Sequence, residues 1–439
     1  MRILALTAGA ARMYCGSCLR DNALARELAR LGHEVRLQPL YTPTRTDEEN
    51  VASPGVFFNG IGVCLEQQAA FFRRPHPRLD RLWNAPWVLR LASRSSIAVD
   101  PSRLGAMTVS MLRGEEGFQL KEVRRLADWL RAQQPPDIAV LPNSLLSGLA
   151  APVREATRRP VCCTFQGEEL FLDQLPEPYR TDAWELVRGN ARDIDGFLAV
   201  SDYSAGYWTK RLDLPEGRVR VAPLGINLEG FGGERRTARA DGVFRIGYLA
   251  RIAPEKGLHL LAEAYRRLRR EPGRGPAVLE AAGYLAPEHR GYLHSIERAM
   301  KEAGLAREFR YRGEPDRAGK IAFLSRLDAF SVPAVYDEPK GLPLLEAMAA
   351  GVAVVQPRRG AFVEMVERTG GGLLVEPDSA EALAEGFRAL RADPERAAAL
   401  GRAGAEAVRA RYTAARMAAQ TLEVYREIAA AAEEARAHA

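Results

Sequence analysis

The sequence predicts an α/β protein made of two domains, each with a parallel sheet, and three observations lead there. Its 439 residues exceed the size at which a single hydrophobic core stops growing, so two domains are the default. Short apolar runs alternate with helical patterns almost throughout, the mark of parallel strands joined by crossover helices. The alternation comes as two series, separated by GFGGERRTARADG (230–242), which is Gly-rich, charged, without apolar period and reads as a hinge.

The first series opens with RILALT. This run lacks the basic and cleavage regions of a signal peptide, so it reads as a first strand. A helix over Cys18–Leu31, ended by Gly32, and a second strand, EVRLQP, come next. DIAVL (137–141), VCCTF (161–165) and GFLAV (196–200) are continuous apolar runs, suited to strands covered on both faces. The second series runs through FRIGYLA (244–250), AVLEAAG (277–283), FRYRG (309–313), DAFSVP (328–333), VAVVQP (352–357) and GGLLVEP (371–377). Beyond Glu376 the chain is Ala-rich and helical, with a final helix from about 413 to 432.

The first series is interrupted between about 42 and 118 by an insertion rich in aromatics, Arg and Pro. Residues 71–130 hold eleven Arg and Lys against six Asp and Glu, about +5, so this one segment carries most of the chain's formal +6. Phe71, Phe72, Trp83, Trp87, Leu89 and Leu91 lie among these arginines. They could shape an acceptor pocket or pack as core, form a protein interface, or bring 71–113 onto anionic lipid headgroups. No run approaches the roughly 18 apolar residues of a membrane span. Five cysteines, an odd number without scaffold spacing, suit a reducing cytoplasm, including the inner face of its membrane. Nucleic-acid binding is not expected, because no recognition motif accompanies the basic excess.

Cys15 and Cys18 flank a helix start, where a lowered thiol pKa would suit redox or metal chemistry. No second ligand pair supports that reading. Cys162 and Cys163 are neighbours on a strand and face opposite ways, so packing is the preferred role. No Asp-x-Asp pair stands near the motifs below, so neither a metal nor a cofactor is expected.

Two stretches carry the chemistry. In GYLARIAPEKGLHLLAEAY (247–265) a strand leads through a loop bearing Arg251 and Lys256 into a helix near Gly257. Unpaired first-turn N–H groups and the helix dipole make such a junction an anion site, and Arg and Lys match a pyrophosphate. Two solvated surface charges are the plain alternative. In YDEPKGLPLLEAMAAG (336–351) Glu338 follows a buried strand and Glu346 lies inside an apolar helix, where an acid needs a partner or a task. A carboxylate can accept two vicinal hydroxyls, so Glu346 could hold a ribose and Glu338 a hexose. Gly341 would let its backbone approach a sugar closely.

Together, ARIAPEKG and EPKGLPLLEAMAAG resemble the retaining glycosyltransferases of the GT-B fold, of the family 4-like, group 1 kind. The resemblance covers 244 to about 427. It implies two Rossmann-like domains facing across a cleft, with the C-terminal helix crossing back to the N-terminal domain. The domains would be 1–228, with an insertion at about 60–118, then 242–412, then the helix at 413–439. It further implies that Arg251 and Lys256 grip a donor diphosphate, that Glu338 contacts the donor sugar and Glu346 the ribose. Backbone amides around Lys340, Gly341 and Leu342 would cover the phosphate and the sugar. Lys340 stands where an aromatic residue is usual.

RLGHEVRLQP (30–39) and VAPLGINLEGF (221–231) look like landmarks of the family's first domain. Where relatives carry a Gly-Gly loop, this chain has Tyr14, Cys15, Gly16 and Ser17; Gly16 and Ser17 could still cradle an anion. Where many relatives carry a sugar-contacting His, it has Gln166, which can orient hydroxyls but cannot act as a base. Glu168 and Glu169 could bind acceptor hydroxyls or be exposed loop acids. The implied activity is metal-independent, retaining transfer from a nucleotide-diphosphate sugar to a hydroxyl of a glycan, lipid-linked or small-molecule acceptor. Two competitors are a catalytically silent nucleotide-sugar-binding protein and a nucleotide-sugar epimerase. A nicotinamide dehydrogenase is disfavoured, since neither half has Gly-x-Gly-x-x-Gly after its first strand.

Overall fold

The computed structural model describes residues 1–9, 14–58, 101–232, 241–270 and 275–438. It divides into two compact units: Met1–Pro223 with Met417–Ala439, and Leu224–Arg416. The aromatic residues singled out in the insertion (Phe71 to Leu91), Cys64 and the middle of the predicted hinge lie outside the described residues.

In the first unit six strands form one parallel sheet: β1 (Arg2–Thr7), β2 (Glu34–Pro39), β3 (Ile138–Leu141), β4 (Val161–Phe165), β5 (Gly196–Ala199) and β6 (Val219–Val221). Their order is β2-β1-β3-β4-β5-β6. Every residue of β3, β4 and β5 is buried, as their unbroken apolar runs require. β6 is not legible in the sequence: its three residues, Val-Arg-Val, are all half-buried and too few to show a period. The ring of Phe165 stacks on Trp208 at 4.2 Å and on Phe197 at 4.9 Å, packing a helix (Asp202–Leu212) against β4 and β5.

The first helix spans Gly16–Arg30 and starts earlier than Cys18. The last helix, Ala414–Ala437, returns to this unit as the family resemblance implies. Glu427 takes an ion pair from Arg220 at 2.7 Å, and Ile428 leaves no room for a side chain at Gly196. Tyr425, 1% exposed, closes a small cavity lined by Arg20, Asp21 and Thr164.

The second unit has its own parallel sheet: β7 (Phe244–Leu249), β8 (Ala277–Ala282), β9 (Phe309–Tyr311), β10 (Ala329–Phe330), β11 (Ala353–Pro357) and β12 (Gly372–Val375). The order β12-β11-β10-β7-β8-β9 is that of dinucleotide-binding folds, with the chain diverging between β7 and β10. In the first unit the divergence falls between β1 and β3. Open α/β sheets take ligands outside the carboxyl ends of the strands at such a point. The loops after β7 and β10 therefore matter most in the second unit, and those after β1 and β3 in the first. Among the described residues, no helix is long and apolar enough to cross a membrane.

Candidate active site

The loop after β7 carries Arg251, then closes through a short 3-10 turn, Pro254–Lys256, into the helix Leu258–Arg270. Gly257 makes the closure possible: its φ is +75°, and a Cβ there would come within 1.8 Å of the Pro333 carbonyl oxygen. The loop thus lies directly against the segment leaving β10. Val335 N–H donates to the Glu255 carbonyl at 3.0 Å, stitching the two loops together beside the divergence.

This brings Lys256 onto Glu338 and leaves Arg251 paired within its own loop. Arg251, with 42% of its side chain exposed, pairs with Glu255 one helical turn on. Lys256 donates to both the Glu338 carboxylate and the Tyr336 hydroxyl, and Tyr336 in turn donates to Glu338. Glu338 is only 6% exposed. Its other carboxylate oxygen accepts the Lys340 amide at 3.3 Å, and its carbonyl accepts Ala361 N–H at 2.8 Å. Burial pushes the Glu338 carboxyl up, but the charges of Lys256 and Lys340, with hydrogen bonds from Lys256 and Tyr336, outweigh it and hold the pKa at about 2.

Glu346 lies on the helix Leu342–Ala349 and has the partner its apolar setting required: Lys320 Nζ, at 2.5 Å. Lys320 comes from the helix Arg317–Ser325 and is itself buried. Sequence reasoning missed Lys320 and Tyr336. A lone lysine in the apolar run AGKIAFLS was the available signal for the first; Tyr336 had none beyond standing two residues from Glu338. Gly341 holds φ +87°, and a Cβ there would meet Met365 Sδ at 2.6 Å, so the turn itself demands glycine whatever approaches it.

The carboxyl edge of the first sheet is organised differently. Gly16 and Ser17, both half-buried, form the first turn of the helix after β1. From that helix the buried Asp21 accepts Thr7 Oγ1 at 3.0 Å and Gln166 Nε2 at 3.2 Å, and pairs with buried Arg20. Gln166 Nε2 also donates to the Pro142 carbonyl at 2.9 Å. The Glu168 carboxylate accepts the amides of Ser144 and Gln166, both at 2.7 Å, tying the loop after β3 to the loop after β4.

Two expectations need correction here. Glu168 and Glu169, read as exposed loop acids in the plain alternative, are each 7% exposed. Glu168 is spent on backbone N–H groups, and Gln166 turns its amide inward at 4% exposure. Cys18, expected to have a lowered thiol pKa, is pushed up instead, by its hydrogen bond with Cys15 and by burial. Among the described residues no group of three or more His, Cys, Asp or Glu is placed to hold a metal ion.

The two parallel sheets, the second in the strand order of dinucleotide-binding folds, define an α/β protein of the Rossmann-like class, and comparison with known proteins specifies it. The model for glycosyl transferases group 1 matches residues 234–407, and that for glycosyltransferase family 4 matches 99–229. The chain belongs to this family of GT-B glycosyltransferases. It is 30% identical over 241 residues to a phosphatidyl-myo-inositol mannosyltransferase of Mycobacterium leprae, an alignment covering 54% of this chain and 60% of that one. It is 34% identical over 194 residues to an alpha-maltose-1-phosphate synthase of Mycolicibacterium smegmatis, covering 42% and 48%. The chain thus spans about half to three-fifths of the length of these relatives.

Among solved structures, a sucrose-phosphate synthase from Thermosynechococcus elongatus superposes with a TM-score of 0.70 at 19% identity, over 98% of this chain and 100% of that one. Anabaena Alr3699/HepE, solved in complex with UDP and glucose, superposes with a TM-score of 0.67 at 15% identity, over 97% and 99%. These likenesses establish the fold.

Proposed function

We propose that the chain transfers a sugar from a nucleoside diphosphate donor to a hydroxyl acceptor, retaining the anomeric configuration and using no metal. The observation that carries this reading is the placement of Arg251 and Lys256 after β7 opposite Glu338 and Glu346 after β10, on the two sides of the divergence in the second sheet. A diphosphate there would draw Arg251 from Glu255 and Lys256 from Glu338, replacing one anion with another. Glu346 would take the ribose hydroxyls and Glu338 the sugar hydroxyls, with amides from Gly341 and Leu342 over the phosphate.

In the transfer, the bond from the anomeric carbon to the phosphate oxygen breaks and a bond to the acceptor oxygen forms on the same face. The acceptor's proton passes to the leaving phosphate oxygen. Arg251 and Lys256 would stabilise the charge that develops on that phosphate. No side-chain base is required. The UDP in the Anabaena protein, which shares this fold, supports a nucleotide-sugar donor. A glycan, a lipid-linked sugar or a small molecule would serve as acceptor.

Calorimetric titration with UDP-, GDP- and ADP-sugars tests the donor site. One donor should bind in the micromolar range, and Glu346→Ala should weaken it about tenfold, near 1.4 kcal/mol. Failure of every nucleotide sugar to bind would remove the basis for the reading.

A further inference from the structure

We infer that Tyr336 is a positioning residue for the sugar half of the donor: its hydroxyl keeps Glu338 oriented when Lys256 turns from that carboxylate to the donor diphosphate. This rests on the donor-site reading above and deepens it.

The hydroxyl of Tyr336 stands between Lys256 and Glu338 and is bonded to both. An ammonium can only donate, so the phenol oxygen accepts from Lys256 and spends its one proton on the carboxylate. The phenol keeps that proton, because burial and the neighbouring Glu338 charge push its pKa well above the ordinary range. Lys256 Nζ also lies over the Tyr336 ring, 4.8 Å from its centroid. One side chain therefore touches both the cation assigned to phosphate and the acid assigned to sugar.

Were Lys256 to leave for a phosphate, Glu338 would lose its main charge partner while remaining buried. The bonds left to it are the Tyr336 hydroxyl and the long 3.3 Å contact from the Lys340 amide. The phenol is the firmer of these. It fixes one carboxylate oxygen and leaves the remaining lone pairs to accept sugar hydroxyls. Without the hydroxyl, the carboxylate can rotate towards the departing ammonium, and the sugar meets an acid out of place.

Tyr336→Phe keeps the ring, and with it the cation–π contact, and removes only the hydroxyl. Titration of wild type and Y336F with UDP against UDP-glucose, and GDP against GDP-mannose, separates the two halves of the donor. With whichever base binds, the free diphosphate should bind Y336F within about twofold of wild type, while the affinity ratio of nucleotide sugar to nucleotide falls about tenfold. In a Glu338→Gln background the same substitution should add little, because Tyr336 acts through Glu338. Equal loss for nucleotide and nucleotide sugar, no change in either, or additivity with E338Q would overturn the inference. If wild type binds none of these ligands, nor ADP or an ADP-sugar, the donor site itself falls, and the assignment of Tyr336 with it.

Discussion

Glu168 and Glu338 are both buried carboxylates in loops at the carboxyl edges of parallel sheets, one in each unit, and their pKa values move in opposite directions. Burial raises the Glu168 pKa despite its hydrogen bonds from the Ser144 and Gln166 backbone amides. For Glu338 the same desolvation is overcome by Lys256 and Lys340, and its pKa falls to about 2. The difference lies in who supplies the hydrogen bonds. Backbone amides of neighbouring loops cannot leave without the loops moving, so Glu168 is a fixed brace. A lysine side chain can exchange one anion for another, which is what the proposed donor site asks of Lys256. Net cation supply, more than burial, separates the two carboxylates.

The sharpest way to break this comparison is to remove the exchangeable cation. Lys256→Met should weaken nucleotide-sugar binding by a hundredfold or more, because it deletes a phosphate ligand and leaves Glu338 without its nearest charge. It should also lower stability by about 3 kcal/mol, the usual cost of stripping one partner from a buried pair. Calorimetric binding and thermal unfolding of the same sample check both. A variant that keeps its affinity would show that the diphosphate, if bound, sits elsewhere.

The brace should answer differently. Glu168→Gln presents an amide N–H where the carboxylate accepted a backbone N–H, so one of two charge-assisted bonds is lost. Stability should drop by about 2 kcal/mol, read as a lower melting temperature, with donor affinity within twofold of wild type. A loss of donor binding matching that of Lys256→Met would erase the distinction between the two edges.

Much of this contrast could not be read from the sequence. Eleven of the twelve strands were visible in the alternation, most of them as apolar runs because both faces of the sheets are covered, while β6, three half-buried residues long, was too short to show a period. Arg251, Lys256, Glu338 and Glu346 were legible because their types are out of place in a strand–loop–helix junction or an apolar helix. Their partners were not. Lys320 reaches Glu346 from a separate helix, a pairing that leaves no local spacing to detect, and Tyr336 stands beside Glu338 in sequence with nothing to mark its hydroxyl as a partner. Gln166 and Glu168 look alike in sequence whether they face a ligand or a neighbouring backbone. Only the bonds to Asp21, Pro142 and Ser144 decide it.

The smallest expected effect is also the most direct measure of the comparison, and it lies in the slope of stability against pH. A carboxyl whose native pKa is depressed contributes stability above its unfolded pKa and loses it as the pH falls towards the native value. For Glu338 that window runs from about 4.5 down to about 2. Between pH 6 and pH 4 the stability advantage of wild type over Glu338→Gln should shrink by on the order of 1 kcal/mol. Glu168 has the opposite sign: its raised native pKa means that the folded chain holds a proton the unfolded chain has released. Stability is therefore lost as the pH rises through the interval above 4.5, so the advantage of wild type over Glu168→Gln should grow on acidification. Melting temperatures of the three proteins across that range give both slopes. Slopes of the same sign would mean that Lys256 and Lys340 do not dominate Glu338 as the geometry requires, and the exchangeable character of the second-unit site would lose its electrostatic basis.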